Sequence, residues 1–513
     1  MDFLRFLALS LLGSIAILLH NCIALDAVSP QLNDDILGLI VFKSALHDPS
    51  SFLASWNEDD DSPCSWEFVK CNPINGRVSE LSIDGFGLSG RIGRGFEKLQ
   101  HLKVLSLSGN NFTGNLSPEL VLPPSLQRVN FSRNRLSGRI PTSLIAMSSI
   151  RFLDFSDNLF SGPIPDEMFA NCSLLHYLSL ASNMLQGPVP NTLHTRCLYL
   201  NTLNLSANQF SGSLDLWSLT RLRTLDLSKN AFSGYLPQGI SALHNLKELR
   251  LQSNQFSGPL PADLGLCLHL STLDVSRNRL TGPLPESMRL LTSLTFLNIG
   301  FNTFSGELPQ WIGNMTSLNY VEFSSNGFTG SLPLAMGGLR SVKYMSFSNN
   351  KLSGNIPETL MKCSELSVIK LEGNSLNGRV PEGLFELGLE EIDLSQNELI
   401  GSVPVGSSKL YEKLTRMDLS SNRLEGNFPA EMGLYKNLKY LNLSWNNFKA
   451  KIPPEMGLFQ NLNVLDLRSS DLHGSIPGEL CDSGSLGILQ LDGNSLIGPI
   501  PDEIGNCVSL YLL

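Results

Sequence analysis

Hydrophobic positions along this chain return with a long period. From residue 78 onward, runs of the form Leu-x-x-Leu-x-Leu-x-x-Asn recur every 22 to 25 residues; Leu294 to Asn302 is one, and Leu318 to Asn326 follows 24 residues later. The asparagine stands at 110, 134, 158, 183, 208, 230, 254, 278, 302, 326, 350, 374, 397, 422, 446 and 494, while Phe86 and Ser470 fill its slot in two further units. Eighteen complete units result, and Leu510 to Leu513 begins a nineteenth. A unit this short cannot bury its own leucines, so the pattern predicts a stack in which neighbouring units share one continuous core.

Each slot predicts a piece of structure. The alternating leucines form a short parallel strand with its leucines inward and the intervening residues toward solvent. The asparagine amide both donates and accepts, which suits a ladder that satisfies buried backbone groups where the chain turns inward. A glycine four residues later, replaced once by Ala450, permits a conformation that a Cβ would resist, and the frequent proline three residues beyond it predicts a convex side without a ladder. The expected fold is an α/β solenoid with its parallel sheet on the concave face, short 3-10 and loop segments on the convex side, and a helical cap at the amino end.

Residues 1–24 read as an export signal: Arg5 precedes the apolar stretch Phe6 to Leu19, and Cys22-Ile23-Ala24 offers a cleavage point before Leu25; an amino-terminal membrane anchor is the alternative, disfavoured because the run is shorter than the ~20 residues that span a bilayer. Residues 25–77 read as the cap, with helical spacing at Ile36, Leu37, Leu39, Ile40 and Phe42, and with Trp56 and Trp66 bracketing an acidic turn from Glu58 to Asp61. Cys64 and Cys71 are expected to close a disulfide in an oxidising compartment. Residues 78–513 hold the repeats. A net charge of −10 and the absence of a long Lys/Arg run disfavour nucleic acid and anionic lipid as partners. No later window is apolar for long enough to predict a membrane segment.

The cap pattern Leu37, Phe42-Lys43, Asp48-Pro49, Trp56, Pro63-Cys64-Ser65-Trp66 and Cys71, joined to 24-residue repeats, resembles the ectodomain of plant leucine-rich-repeat receptor-like kinases. Asn33 to Lys43, Leu441 to Asn446 and Gln490 to Leu496 are similar to the subfamily whose kinase domains are thought inactive. The resemblance covers residues 33 to 513. It implies a non-catalytic recognition domain for a peptide or protein ligand and a shorter leucine-rich-repeat co-receptor. It also implies a place in the secretory pathway, on the extracellular face of the plasma membrane or secreted. The family continues into a transmembrane helix and a kinase-like domain, so the chain is expected to stop before those parts. A secreted inhibitor of cell-wall hydrolases is the alternative, with about ten repeats and a second cysteine-bearing cap as its expected marks.

No cofactor, metal or catalytic group is expected. Gly85 to Gly90 matches a glycine-rich phosphate loop in spacing alone, because it coincides with the turn slots of the first repeat. Cys172, Cys197, Cys267, Cys363 and Cys507 share one buried slot ahead of the strand, where core packing is the default and a Cys172–Cys197 bridge the alternative; Cys481 is unassigned. Glycosylation sequons begin at Asn111, Asn115, Asn130, Asn171, Asn204, Asn314 and Asn442, three of which (Asn130, Asn204 and Asn442) fall in exposed strand slots. The candidate ligand platform is a solvent-facing column of Phe296, Tyr320 and Tyr344, flanked by Asn298, Phe301, Glu322 and Lys343. Beside it Arg223, Lys229, Lys247, Arg250 and Arg277 predict a basic patch. The competing reading is that the rings pack on one another along the sheet.

Overall fold

A computed structural model describes residues 33–117, 120–142, 148–406 and 412–513. The expected export signal, 1–24, and the first residues of the cap lie outside the described residues. The cap opens with the helix Asp34–Ser44, whose first N–H groups are met by Asn33: its Oδ1 accepts from the Asp35 N–H at 3.0 Å. Asp35 is fully buried. Its carboxylate takes Arg77 Nη2 and Nε, each at 2.8 Å, and the Val78 N–H at 3.0 Å, which fastens the helix to the first concave strand. At the other end Lys43 Nζ donates to the carbonyls of Leu53 and Trp56, both at 2.8 Å. The Trp56 and Trp66 rings stack at 5.6 Å.

Eighteen parallel strands follow, from Val78–Ser82 to Ile488–Gln490, each pairing with the next repeat in strict register. The strand Val69–Cys71 adds to the first antiparallel, and Leu512 bridges onto Ile488 at the far edge. In each three-residue strand the middle residue is buried and its neighbours are largely half-buried on the concave face, as in Phe296–Asn298, while the five-residue Val78–Ser82 buries Val78 and Leu81. One core runs the whole length beneath them.

The repeat asparagines do more than close a turn. Asn302 Nδ2 donates to the carbonyls of Val275, Ile299 and Gly300 at 3.0, 3.1 and 3.3 Å, while its Oδ1 accepts the Leu280 N–H at 3.0 Å. Leu280 belongs to a second ladder, which the leucine and asparagine spacing does not predict, while the convex stretch after the prolines carries 3-10 turns as expected. Segments just after the turn, such as Thr303–Glu307, pair in parallel from repeat to repeat; among the described residues thirteen of them, from Ser89–Gly90 to Ser375–Asn377, build a fourteen-stranded sheet beside the first, with the cap strand Leu46–His47 antiparallel at its edge. The repeat glycines lie inside it at positive φ, 88° at Gly306. Such a segment carries one buried residue among polar neighbours, Phe304 in this case, so alone it reads as a turn; stacking makes it a strand. Short 3-10 turns such as Glu286–Leu290 and Gln310–Asn314 come after the prolines.

Of the five cysteines for which core packing is the default, Cys172, Cys197 and Cys507 are bonded instead. Cys64 bonds Cys71, Cys172 bonds Cys197 in the next repeat, and Cys481 bonds Cys507. Core packing describes Cys267 and Cys363, which are buried and unbonded. The shared slot brings two cysteines within bonding reach wherever adjacent repeats both carry one: the Cys172 and Cys197 Cα atoms are 5.0 Å apart.

Two outcomes follow. Peptide mapping without reduction should recover the three bonded pairs, with Cys267 and Cys363 alkylated only after unfolding. Asn302→Ala should leave the Leu280 N–H unpaired, while the carbonyls of Val275, Ile299 and Gly300 keep their bonds from Asn278, Asn326 and Arg277, and it should cost roughly 1–3 kcal/mol in denaturant melts, with faster hydrogen exchange confined to the neighbouring repeats.

Candidate functional site

Buried leucines are interchangeable from repeat to repeat, so individuality lies in the exposed slots of the concave face. The strands Phe296–Asn298, Tyr320–Glu322 and Tyr344–Ser346 put Phe296, Tyr320 and Tyr344 in direct register. Their rings stack nearly parallel at 4.5 Å, tilted by 5° and 8°. The rings therefore face one another along the ladder and offer their edges outward. They are half-buried rather than solvent-facing, so the packing reading describes the geometry of the column.

Glu322 is not an exposed flank but a buried carboxylate, 8% exposed. One oxygen accepts the Ser324 N–H at 2.8 Å and the Ser324 hydroxyl; the other accepts the Tyr344 hydroxyl at 3.0 Å. Burial, reinforced by the Glu322 charge, raises the titration of Tyr320 and Tyr344 above the ordinary phenol range, so both remain neutral donors. Asn298 Oδ1 accepts the Gly300 N–H at 3.1 Å. Phe301 stands at the exit of its strand with the Arg277 guanidinium 4.2 Å over its ring. The basic patch is divided: Arg277 covers Phe301 and Arg250 lies 3.6 Å from Glu248, while Arg223, Lys229 and Lys247 are exposed.

Two further constellations in the same column escaped the sequence reading. Phe152 stacks on Tyr177 at 4.3 Å with the Arg128 guanidinium 3.6 Å from its ring. Arg416 lies 3.7 Å over Tyr440, whose hydroxyl donates to Asp418 at 3.2 Å. Both occupy the slot of Phe296, so aligning that slot across all repeats would have found them. Between the central column and Tyr440 lies a run of charge. Lys370 and Arg416 both close on Glu391, at 3.1 and 3.3 Å. Asp393 sits among carboxylates: burial first, then the charges of Asp418 and Glu372, push its carboxyl up to about 6. Its Oδ1 accepts the N–H and hydroxyl of Ser395 at 3.1 and 2.7 Å.

The sequons divide by exposure. Asn111, Asn115, Asn171 and Asn314 are exposed; Asn130, Asn204 and Asn442 are half-buried, each accepting the N–H and hydroxyl of its own sequon serine. Asn442 Nδ2 is engaged as well, with Asp418 and the Tyr440 hydroxyl, each at 3.3 Å. Among the described residues no helix is long and apolar enough to cross a membrane, and no group of three or more His, Cys, Asp or Glu could hold a metal ion.

The sequence matches a leucine rich repeat N-terminal domain over residues 32–72, a leucine-rich repeat region over 199–363, and leucine rich repeats over 387–448, 101–121, 125–147 and 485–507. A leucine-rich repeat receptor-like protein kinase of Arabidopsis thaliana, named for a kinase thought inactive, is 59% identical over 116 residues, 23% of this chain and 11% of that protein. The first curated relatives are thus matched over about a tenth of their length. Among solved structures, the Arabidopsis receptor kinase HAESA, in complex with the peptide hormone IDA and the co-receptor SERK1, is 30% identical; the likeness covers 94% of this chain and 89% of that one, with a TM-score of 0.73. A TDR receptor is 31% identical, with a TM-score of 0.77 over 84% of this chain and 79% of that one. These likenesses and the disulfides point to a secretory or extracellular location.

The environment of Asp393 yields a pH dependence. A carboxyl held above its unfolded value resists ionisation in the fold, so it opposes folding at neutral pH, and that penalty is relieved as the pH falls through about 6. Asparagine already makes the same serine contacts at Asn130, Asn204 and Asn442. Asp393→Asn should therefore raise stability at neutral pH by roughly 1–2 kcal/mol, and thermal melts should show the gain gone by about pH 4.

Proposed function

From the premise that this chain belongs to the leucine-rich-repeat receptor-like kinase family of plants, we propose that it is the extracellular recognition part of a cell-surface receptor, acting at the outer face of the plasma membrane by binding rather than by catalysis. Its ligand is a peptide or protein lying across the concave strands, and a shorter leucine-rich-repeat co-receptor joins the complex. The observation that carries this reading is the three-ring column Phe296, Tyr320 and Tyr344, with Glu322 held beneath it by Ser324 and Tyr344. A stacked, prepositioned aromatic edge loses little conformational freedom on binding; the Tyr320 hydroxyl can donate to a peptide carbonyl, and the Tyr344 hydroxyl, whose proton goes to Glu322, can accept a peptide N–H. The HAESA ectodomain, similar over nearly its whole length, is complexed with a peptide hormone and a co-receptor.

The column can be removed without foreign chemistry. Thr202, Thr224 and Thr272 occupy the same slot in other repeats, so Tyr320→Thr/Tyr344→Thr substitutes residues that this sheet already carries. Random dodecapeptides displayed on phage and selected against the unmodified chain should bind this variant at least about tenfold more weakly, with the melting temperature lowered by no more than about ten degrees. Undiminished binding, or loss of fold together with binding, would show that the rings are packing and the site lies elsewhere.

A further inference from the structure

Where the chain leaves each concave strand, the residue before the ladder asparagine is left-handed. Its φ runs from 47° to 59° in fourteen repeats, from Arg133 to Ser469, and glycine fills the slot at Gly109, Gly373 and Gly493. The backbone imposes this conformation, because the N–H here reaches a carbonyl of the next repeat, as Phe301 N–H does to Ser324. Left-handed geometry crowds a Cβ against the following carbonyl, so glycine and short polar residues suit the slot. Among the described residues two bulky apolar side chains occupy it: Phe301, 44% exposed, and Trp445, 60% exposed. Neither is buried in return, and the contact on the Phe301 ring is the Arg277 guanidinium at 4.2 Å. Phe68, a third aromatic at positive φ, packs its ring against Phe86 at 4.6 Å, whereas the Trp445 indole makes no hydrogen bond or ring contact with the described residues. Strain accepted for an exposed aromatic points to a ligand.

Resting on the receptor reading above, we propose that Phe301 and Trp445 are the end posts of one binding track along the exit edge of the concave sheet, occupied by an extended cationic peptide with bulky apolar side chains about nine residues apart. The spacing comes from the ladder. Six strand-to-strand steps separate the posts. At about 4.8 Å a step they stand roughly 29 Å apart, which an extended chain spans in about nine residues at ~3.3 Å each. The charge comes from the floor between them. Lys370 and Arg416 converge on Glu391, and Arg416 also lies 3.7 Å from Asp418, so two cations face the four carboxylates Glu372, Glu391, Asp393 and Asp418; a lysine- or arginine-bearing segment complements the track and an acidic one does not.

The dodecapeptide selection, read by sequence, tests this. Enriched peptides should be net positive and carry two bulky apolar residues roughly eight to ten positions apart. They should bind Trp445→Ser at least about tenfold more weakly and Trp445→Phe nearly as well as the unmodified chain. Serine already stands in this slot at Ser421 and Ser469, so Trp445→Ser should melt no lower than the unmodified chain. Enriched peptides that are acidic or lack the spacing, undiminished binding to Trp445→Ser, or no enrichment at all would overturn the track. Tyr320→Thr/Tyr344→Thr separates the two readings. Peptides that lose this variant but keep Trp445→Ser leave the aromatic column standing without the posts; the opposite pattern keeps the posts and removes the column.

Discussion

Everything in this molecule hangs on a side-chain amide that bonds across repeats. Asn302 ties its own turn to the carbonyl of Val275 one repeat back, and its oxygen takes the N–H of Leu280 in that same preceding repeat. The same four-way arrangement holds at Asn326, whose partners are Ile299, Phe323, Ser324 and Phe304. Because each amide joins the concave ladder to the second ladder, neither sheet can slip in register without breaking the other. Ser470 shows the minimum: its hydroxyl reaches Leu443 and Arg468, and Asn494 supplies the acceptor for the Ser470 and Leu472 N–H groups. A buried polar spine of this kind is stable because nearly all of its donors and acceptors are used.

A register locked this firmly makes the exposed slots independent of the core. Threonine, valine, arginine and tyrosine alternate in one column at Thr272, Val368, Arg416 and Tyr440 with unchanged pairing. The same independence lets like residues accumulate. Three rings stack when three successive repeats carry them, and carboxylates crowd until burial and mutual repulsion hold the Asp393 carboxyl near 6. In a protein whose pairs were tuned one by one, such crowding would be a fault.

What the sequence made legible follows from this division. Period and leucine spacing dictate the concave strands, and the helical spacing at Ile36, Leu39 and Phe42 marks the cap helix, because these depend on short-range pattern. The second ladder was hidden, since Thr303 to Glu307 becomes a strand only when repeats on either side supply its partners. The Cys481–Cys507 bond was hidden for a related reason: Cys481 stands outside the regular slot, at the end of the 3-10 turn Gly478–Cys481, so the spacing alone does not pair it with Cys507. Glu322 was misplaced as a surface flank because its burial depends on Tyr344 and Ser324, which meet it only once the register is fixed. Trp445 was overlooked because a single residue before an asparagine carries no signal until the backbone shows which conformation that slot demands.

The slots therefore separate by what they demand of a residue, and departures from demand carry information. Leucine in the core and asparagine in the ladder satisfy fold and sequence alike, so they say nothing about a ligand. An aromatic in a left-handed slot and an acid in a carboxylate-lined column satisfy neither local geometry nor local electrostatics. Both lower the stability that glycine or asparagine would give at those points. Residues kept against local preference, on the one face where neighbours do not require them, are where a solenoid of eighteen near-identical units stops being generic.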